Sequence, residues 1–456
     1  MVNRQLPDAT TPSQGHSLSD YIMPITPETR DDLAVLGSLN YFNTSLIPAV
    51  APAHAPFHRT LIEASTWLSA PKVIQLSLIV LTTSCHKSRT TLIPSLDKDL
   101  CRVRGSCLNE LMSLVSGVTH ERYALAFDCV QMMMLAEMHF DPTGSWSYHL
   151  DAARRLINMQ GGLGRAFYKS PALQGMLINY MEVDIMTCIT CPARSLNPPD
   201  VRLQSTYIPL LAHREKKTIT TPCFSPIPIF QAIVDINILR VEISKPSISP
   251  AALSTAGAEF TRISSAISAF DPPSWATRIL SYASPSEPPF PIAAPNIDQT
   301  NLAAMMTLAH CHQDASTLYL HLSCPQALPH RESQSQPQHL STTHANLTSN
   351  LQTLLSQASS DTEAAIHTQL FKFAIWPLFI AAYAGVGWDL GDGYGESGEI
   401  GDIALVKQVA KMIDSRPLRI AAEVLESVAE RRADVGAGGG WGWDDGFEGR
   451  CSFCVL

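Results

Sequence analysis

The sequence predicts an all-α protein, a large irregular bundle of helices with long Pro- and Ser-rich loop insertions. Two observations favour this fold class: apolar residues recur at intervals of three and four along most of the chain, and clear apolar–polar alternation is hard to find anywhere in it. Apolar residues make up 45% of the 456 residues, which is enough for a substantial core. We expect one helical domain over residues 36–447, between a flexible tail at 1–35 and a short tail at 448–456.

Two helical stripes lie between residues 100 and 134. The first ends at Gly117 and consists of Leu100, Val103, Cys107/Leu108, Leu111 and Leu114/Val115. The second follows Thr119, a good N-cap residue, and consists of Tyr123, Ala126/Phe127, Val130 and Met133/Met134. We expect these two helices to pack antiparallel.

The segment SWSYHLDAARRLINMQGGLG, residues 145–164, has the residue types of a binding site but the spacing of a helix. Its apolar face consists of Trp146, Leu150, Ala153 and Leu156/Ile157. Ser145 is the expected N-cap, and Gly161 and Gly162 suit the left-handed conformation that ends helices. A phosphate-binding glycine loop follows a strand, whereas this one follows a helix. We therefore interpret the segment as a core helix with its stop signal.

Further helices are expected along the rest of the chain. One begins at Ser170-Pro171 and carries Leu173, Met176/Leu177, Tyr180 and Val183/Asp184. Composition then predicts three insertions, rich in proline or in serine and glutamine, at residues 190–225, 271–298 and 323–346. Helical patterns resume between and after them, at residues 227–243, 251–270, 302–322, 347–355, 364–384, 404–413 and 418–430.

Charge and cysteine content exclude several classes of protein. The net charge of −9 at pH 7 argues against a surface that grips nucleic acid, which needs clustered lysine and arginine. The apolar runs around 73–81 and 374–386 are shorter than a membrane span of about 20 residues, and the polar N-terminus has no signal core. Eleven cysteines, an odd number, indicate reduced thiols. Because the pairs Cys188-x-x-Cys191 and Cys451-x-x-Cys454 stand far apart, no metal site and no cofactor is expected.

Two ionisable residues are the candidates for catalysis if the chain is an enzyme. Asp184 shares a stripe with Tyr180 and Leu177, so burial could raise its pKa toward acid–base use. His149 precedes Leu150 on the helix at 145–164 and could act as a base. Structural roles are the simpler interpretation: a core carboxylate with its hydrogen bonds satisfied, and a histidine at the helix boundary that binds a neighbouring backbone group. We predict no catalytic, cofactor-binding or metal-binding residue.

Several apolar motifs, in their order along the chain, carry a family resemblance. They are LNYF at 39–42, the Trp146/His149-Leu150/Gly161-Gly162 helix, LYLH at 318–321, FAIWPLFIA at 373–381, Ala421 to Leu425 and Trp441-x-Trp443. With these motifs the chain resembles the helical regulatory domain of fungal zinc-cluster transcription factors over most of its length. The Trp376-Pro377 pair gives a physical cause for a kink or break in an apolar helix, which the resemblance places at the centre of the core.

The resemblance implies a nuclear transcriptional regulator of a fungal pathway, such as one of specialised metabolism. It also implies contacts with a DNA-bound regulator or the transcription machinery, dimerisation with itself or another chain, and a small-molecule ligand in the helical core. The family's DNA-binding module has six cysteines in about thirty residues, and no such cluster occurs in this sequence, whose first cysteine is Cys85. We therefore expect no direct DNA binding by the chain as written.

Three alternatives stay open from the sequence. A zinc-binding cysteine module encoded upstream would make the full protein a direct DNA binder. An enzyme of specialised metabolism could be built on the same helical scaffold, acting in the cytoplasm. An adaptor could bind partners through the polar tract at residues 323–343.

Overall fold

The computed structural model is helical throughout the residues that it describes, which confirms the predicted all-α fold class. These residues are 27–46, 63–89, 94–117, 122–140, 146–216, 225–245, 247–282, 299–328, 336–358, 373–387, 397–412, 415–435 and 443–447. No strand occurs among them. Within the same ranges, no helix is long and apolar enough to cross a membrane.

The N-terminal part of the bundle is built around two buried helices, α3 and α5. The helices here are α1 (Pro27–Tyr41, followed by a π-helical turn at Phe42–Leu46), α2 (Ala64–Leu68), α3 (Lys72–Arg89), α4 (Pro94–Ser116), α5 (Tyr123–Phe140), α6 (Trp146–Met159) and α7 (Leu163–Lys169). Helix α3 packs extensively against both α4 and α5, whereas α4 and α5 touch each other less. The predicted α4 and α5 helices are therefore present, with α3 as their main shared neighbour.

The remaining helices form the larger part of the molecule. They are α8 (Gln174–Thr187), α9 (Pro198–Leu203), α10 (Ile208–Lys216), α11 (Ile227–Ile243), α12 (Pro250–Ser268), α13 (Pro272–Tyr282), α14 (Gln299–Ser323), α15 (Gln336–Ala358), α16 (Ile375–Gly387), α17 (Ser397–Met412), α18 (Arg416–Val435) and α19 (Trp443–Phe447). Short 3-10 turns lie at Pro171–Leu173, Ala193–Ser195, Gln204–Thr206 and Pro325–Ala327.

The predicted core helix at 145–164 is confirmed, including its stop signal. Gly161 and Gly162 have φ values of +85° and +95°, in the left-handed region that favours glycine. The N–H of Gly162 donates to Ile157 O at 3.1 Å and that of Gly161 to Asn158 O at 2.9 Å, the pair of bonds of a Schellman cap. Gly162 then precedes α7 directly, so one glycine pair ends α6 and begins α7. Ser145, the predicted N-cap, lies outside the described residues.

Helix α16 lies at the centre of the core, as the resemblance implies. Every residue from 373 to 386 is buried. The helix begins at Ile375, so Pro377 falls in its first turn, where a proline's missing N–H costs no helical hydrogen bond. The predicted break at Trp376-Pro377 is thus the start of a helix; residues 364–372, predicted to be helical, lie outside the described part of the chain.

Most of the described residues within the predicted insertions are helical. Residues 190–216 fold into short helices, and Tyr207 and Leu211 are buried in the main core. The prolines misled the prediction: Pro198 and Pro199 start α9, and Pro272 starts α13, because proline is favoured in the first helical turn. Residues 217–224 and 283–298 lie outside the described residues.

The polar tract at 323–346 and the N-terminal tail also differ from expectation. Helix α15 begins at Gln336, inside the tract, and Leu340 of this helix is fully buried. Apolar residues that recur at the helical spacing are enough for one face of a helix to pack against its neighbours, even where the composition is polar. Helix α1 begins at Pro27, and Val35 and Leu39, four residues apart, are its buried anchors. Residues 27–35 of the predicted tail are therefore helical. Residues 1–26 and 448–456 lie outside the described ranges, and the domain division stays a prediction.

Candidate functional site

Asp184 lies in α8 as the centre of a buried ion-pair network. Its Oδ1 accepts a hydrogen bond from Arg154 of α6 at 2.8 Å. Its Oδ2 accepts from the Tyr207 hydroxyl at 2.9 Å and from Gln204 Nε2 at 3.3 Å. Burial raises the pKa of Asp184 above its ordinary value, although the Arg154 charge and these hydrogen bonds act in the opposite direction. The predicted burial of Asp184 is confirmed, and both carboxylate oxygens are occupied by protein donors.

The network around Asp184 joins three parts of the bundle. Arg154 also contacts Asp151 at 2.9 Å and Asp200 at 3.2 Å, so one guanidinium connects α6, α8 and α9. Gln204 additionally donates to the Asp184 backbone carbonyl at 2.8 Å. A buried carboxylate with this set of partners fastens helices together. The contacts favour the structural interpretation of Asp184, and its use in catalysis stays the alternative that applies if the chain is an enzyme.

His149 lies apart from this network. It is half-buried in α6, and burial, together with the nearby charge of Arg104, lowers the pKa of His149 to about 4. The imidazole is therefore neutral at pH 7. The groups that bind the Asp184 carboxylate are Arg154, Tyr207 and Gln204, so the structure does not pair the two candidates as acid and base.

Two further carboxylates have properties that the sequence pattern did not point out. Burial raises the pKa of Asp128 in α5 to about 6 and that of Asp314 in α14 to about 7. A perturbed pKa of this kind also occurs in structural positions. The Cys129 thiol lies near Asp128 and the Cys311 thiol near Asp314, and burial raises the pKa of both thiols. Among the residues that the structure describes, no three His, Cys, Asp or Glu side chains are placed to hold a metal ion.

A second polar centre, around Arg240 of α11, was missed from the sequence. Arg240 is 1% exposed. Its Nη1 donates to Cys188 O at 2.9 Å and to the Tyr319 hydroxyl at 2.7 Å. Its Nη2 donates to Cys191 O at 2.9 Å and to Asp444 Oδ1 of α19 at 2.6 Å. Burial works against the charge, but Tyr319 and Asp444 raise the pKa of Arg240 above its ordinary value, so the guanidinium stays charged.

The short helix α19 is fastened to the core at this centre. The Trp443 indole N–H donates to Ile189 O at 2.8 Å, and the Tyr383 hydroxyl donates to Trp443 O at 2.9 Å. The Trp443 ring packs against Tyr383 and Tyr319, with ring centroids 4.2 and 5.1 Å apart. The five-residue helix α19 thus contacts helices α11, α14 and α16 and the turn after α8. The sequence signals were a single arginine inside the apolar run of α11 and the motifs that contain Tyr319 and Trp443, and no local pattern connected them.

The comparison with protein families matches this helical bundle as a whole. The family model of the fungal-specific transcription factor domain matches residues 39–445. The chain belongs to this family. The matched region runs from α1 into α19, so it includes the Asp184 network and both Arg240 and Asp444. No curated protein and no solved structure matches the chain.

Family membership supports a role in the regulation of transcription. Both buried polar centres lie inside the matched region, and each joins helices that are distant in the sequence.

Proposed function

We propose that this chain regulates transcription in the nucleus through contacts with other proteins, as a member of the fungal-specific transcription factor domain family. The single observation that carries the proposal is the family match over residues 39–445, which covers nearly the whole helical bundle. A fold alone does not determine function. The proposal therefore rests on the family, whose model describes a domain of transcription factors, and not on the helical fold.

Two features of the sequence support action through partners. The sequence contains no cluster of six cysteines of the kind that binds two zinc ions next to DNA. Its net charge of −9 opposes the approach of a phosphate backbone. The chain then reaches promoters through a DNA-bound protein, either a second regulator or the transcription machinery, and we expect its target genes to belong to one fungal pathway.

A tethering experiment tests this proposal. The full chain is fused to an unrelated DNA-binding domain and a reporter gene carries that domain's site. We expect the fusion to raise or lower reporter expression at least several-fold relative to the DNA-binding domain alone, and a fluorescent fusion to enter the nucleus. A reporter indifferent to the tethered chain, or a chain confined to the cytoplasm, would overturn the proposal.

A gel-shift experiment separates action through partners from direct DNA binding. The purified chain is titrated into labelled promoter fragments at low and at physiological salt. We expect no sequence-specific complex, because this sequence contains no six-cysteine cluster and carries a net charge of −9. A specific complex that persists in the presence of competitor DNA would show that the chain binds DNA directly. Recruitment through a DNA-bound partner protein would then be refuted.

A further inference from the structure

The place that α19 occupies has the shape and chemistry of a ligand site. We call it the α19 slot, formed by the side chains of Arg240, Tyr319, Phe379 and Tyr383 and the backbone of the turn after α8. Tyr319, Phe379 and Tyr383 surround the Trp443 indole, with ring centroids 5.1, 6.4 and 4.2 Å away. The carbonyl of Ile189 accepts the indole N–H at 2.8 Å. An aromatic ring that carries one N–H donor therefore fits here.

The slot also contains a clamp for one carboxylate. Asp444 Oδ1 accepts from Arg240 Nη2 at 2.6 Å, and Asp444 Oδ2 accepts from the Ala193 N–H at 3.1 Å. A charged donor and a backbone donor thus bind the two oxygens of one group. The Asp444 side chain is 40% exposed, so the carboxylate end of the slot reaches solvent.

The Arg240 guanidinium of the clamp is also held by groups outside α19. Cys188 O, Cys191 O and the Tyr319 hydroxyl hold the Arg240 guanidinium from the protein side. The Tyr319 hydroxyl in turn donates to Asn237 Oδ1 at 2.6 Å, one turn before Arg240 on α11. Because these groups fix the guanidinium in advance, little ordering is needed when a carboxylate binds. An uncompensated charge this deeply buried is also costly, so the slot favours an anion strongly.

We propose that the α19 slot binds a small aromatic carboxylic acid, and that Trp443 and Asp444 occupy it in this structure as an intramolecular ligand. The two residues together present an indole and a carboxylate, which is the chemistry that the slot's walls and donors complement. Binding of the free acid requires α19 to leave, which would expose the Tyr383 hydroxyl and the Arg431 guanidinium that now bind its backbone. The biological meaning of this exchange, a signal to the transcriptional regulator, rests on the proposed function.

A free ligand must displace α19 from the slot, and this competition lowers the apparent affinity of the chain for the ligand. A tethered segment competes with a free ligand at an effective concentration that is set by its linker. The sequence GAGGGWG at 436–442 connects α18 to α19. A free ligand therefore binds the unaltered chain weakly and binds much more tightly once the intramolecular ligand is removed.

Binding to a slot-emptied variant tests the proposal. The variant Trp443→Ala/Asp444→Ala of the full chain is titrated with indole-3-acetate by calorimetry, with indole and acetate as separate probes. We expect saturable binding at least tenfold tighter than to the unaltered chain, and at least tenfold tighter for indole-3-acetate than for indole. Adding Arg240→Met should abolish the preference for the carboxylate, whereas the matched surface substitution Arg262→Met should keep it. No saturable binding to the folded variant, or equal affinity for indole and indole-3-acetate, would overturn the proposal.

A second measurement applies if the double variant does not fold. A protease site is placed within residues 436–442 of the otherwise unaltered chain, the folded protein is cleaved, and retention of the C-terminal peptide is followed. We expect indole-3-acetate to release the peptide in a concentration-dependent way and indole to release at least tenfold less. Retention indifferent to both probes would overturn the proposal. Both experiments use purified protein, so a failed reporter assay with intact binding would refute the regulatory role and leave the ligand site standing.

Discussion

Arg240 and Asp444 form an ion pair at 2.6 Å across 204 residues of sequence, with the guanidinium 1% exposed and the carboxylate at the edge of the core. The pair joins α11, a largely buried helix, to α19, the last segment that the structure describes. The folding of the C-terminal region is therefore coupled to the centre of the bundle.

Removing the carboxylate of this pair is expected to destabilise the protein. The substitution Asp444→Ala leaves a buried guanidinium without its counter-ion, though with two carbonyls and a hydroxyl still bound, so we expect the free energy of unfolding to fall by about 2 to 3 kcal/mol. Urea denaturation followed by circular dichroism measures this loss. The matched substitution Glu259→Ala breaks an exposed pair with Arg262 and should cost under about 1 kcal/mol. Equal losses in the two variants would contradict a special role for Arg240.

A close approach at Gly385 is the basis of a second prediction. A Cβ placed at Gly385 in α16 would overlap the Asp402 carboxylate of α17. We expect Gly385→Ala to lower the free energy of unfolding by about 2 kcal/mol, because the two helices must separate or Asp402 must leave its partners. At Gly105 in α4 a Cβ meets no atom within 4 Å, so Gly105→Ala should stabilise the protein by about 0.5 to 1 kcal/mol. Thermal melts of both variants give the comparison, and a stabilising Gly385→Ala would show that α16 and α17 pack differently.

The stability of the protein should depend on pH through His344 of α15. Its Nε2 lies 3.0 Å from Asp402 Oδ2 and 3.1 Å from Ala381 O. Burial lowers the pKa of His344, but the hydrogen bond and charge of Asp402 outweigh burial and raise the pKa above its ordinary value of 6.5. Because the folded state binds the proton more tightly, the pair stabilises the fold fully below pH 6.5, and this contribution is lost as the pH rises through the raised pKa.

Urea denaturation of the unaltered chain and of His344→Gln, at pH 6 and at pH 8.5, measures this dependence. The difference in unfolding free energy between the two proteins should be larger at pH 6. A difference that is the same at both pH values, or larger at pH 8.5, would mean that Asp402 does not hold a protonated His344.

Gly162, between α6 and α7, allows the energetic cost of a positive φ angle to be measured without a steric clash. A Cβ at Gly162 would meet no atom within 4 Å, yet its φ is +95°. We expect Gly162→Ala to cost about 1 to 2 kcal/mol, since only the backbone conformation opposes the side chain. The substitution Gly164→Ala, two residues on and equally free of contacts, serves as the control and should be neutral or stabilising. Chemical denaturation of the two variants separates conformational strain from steric overlap.

Local patterns predicted the helices well where apolar residues follow one face or fill a whole segment. The predicted helix at 227–243 has the same bounds as α11, because apolar residues fill most of it and it is flanked by Pro226 and Ser244. Proline-rich stretches were predicted less well. Pro198 and Pro272 read as loop signals, but each lies in a first helical turn, a position that composition alone does not distinguish.

The candidate site could be predicted only in part. Asp184 was identified because it shares a stripe with Tyr180, and its burial follows from that spacing. Its partners Arg154 and Tyr207 come from other elements, and the spacing on one helix carries no information about them. Arg240 was visible as a charge inside an apolar helix, whereas its partner Asp444 is too distant in sequence for any local pattern to connect them.

Transcript profiling after deletion of the gene, combined with metabolite analysis of the same cultures, measures the regulatory role most directly. We expect the transcripts of a set of genes to change in the deletion strain and to return when the unaltered chain is supplied, with any loss of metabolites following the loss of transcripts. Accumulation of one biosynthetic intermediate while all transcripts stay unchanged would instead identify an enzyme, and the regulatory role would be refuted.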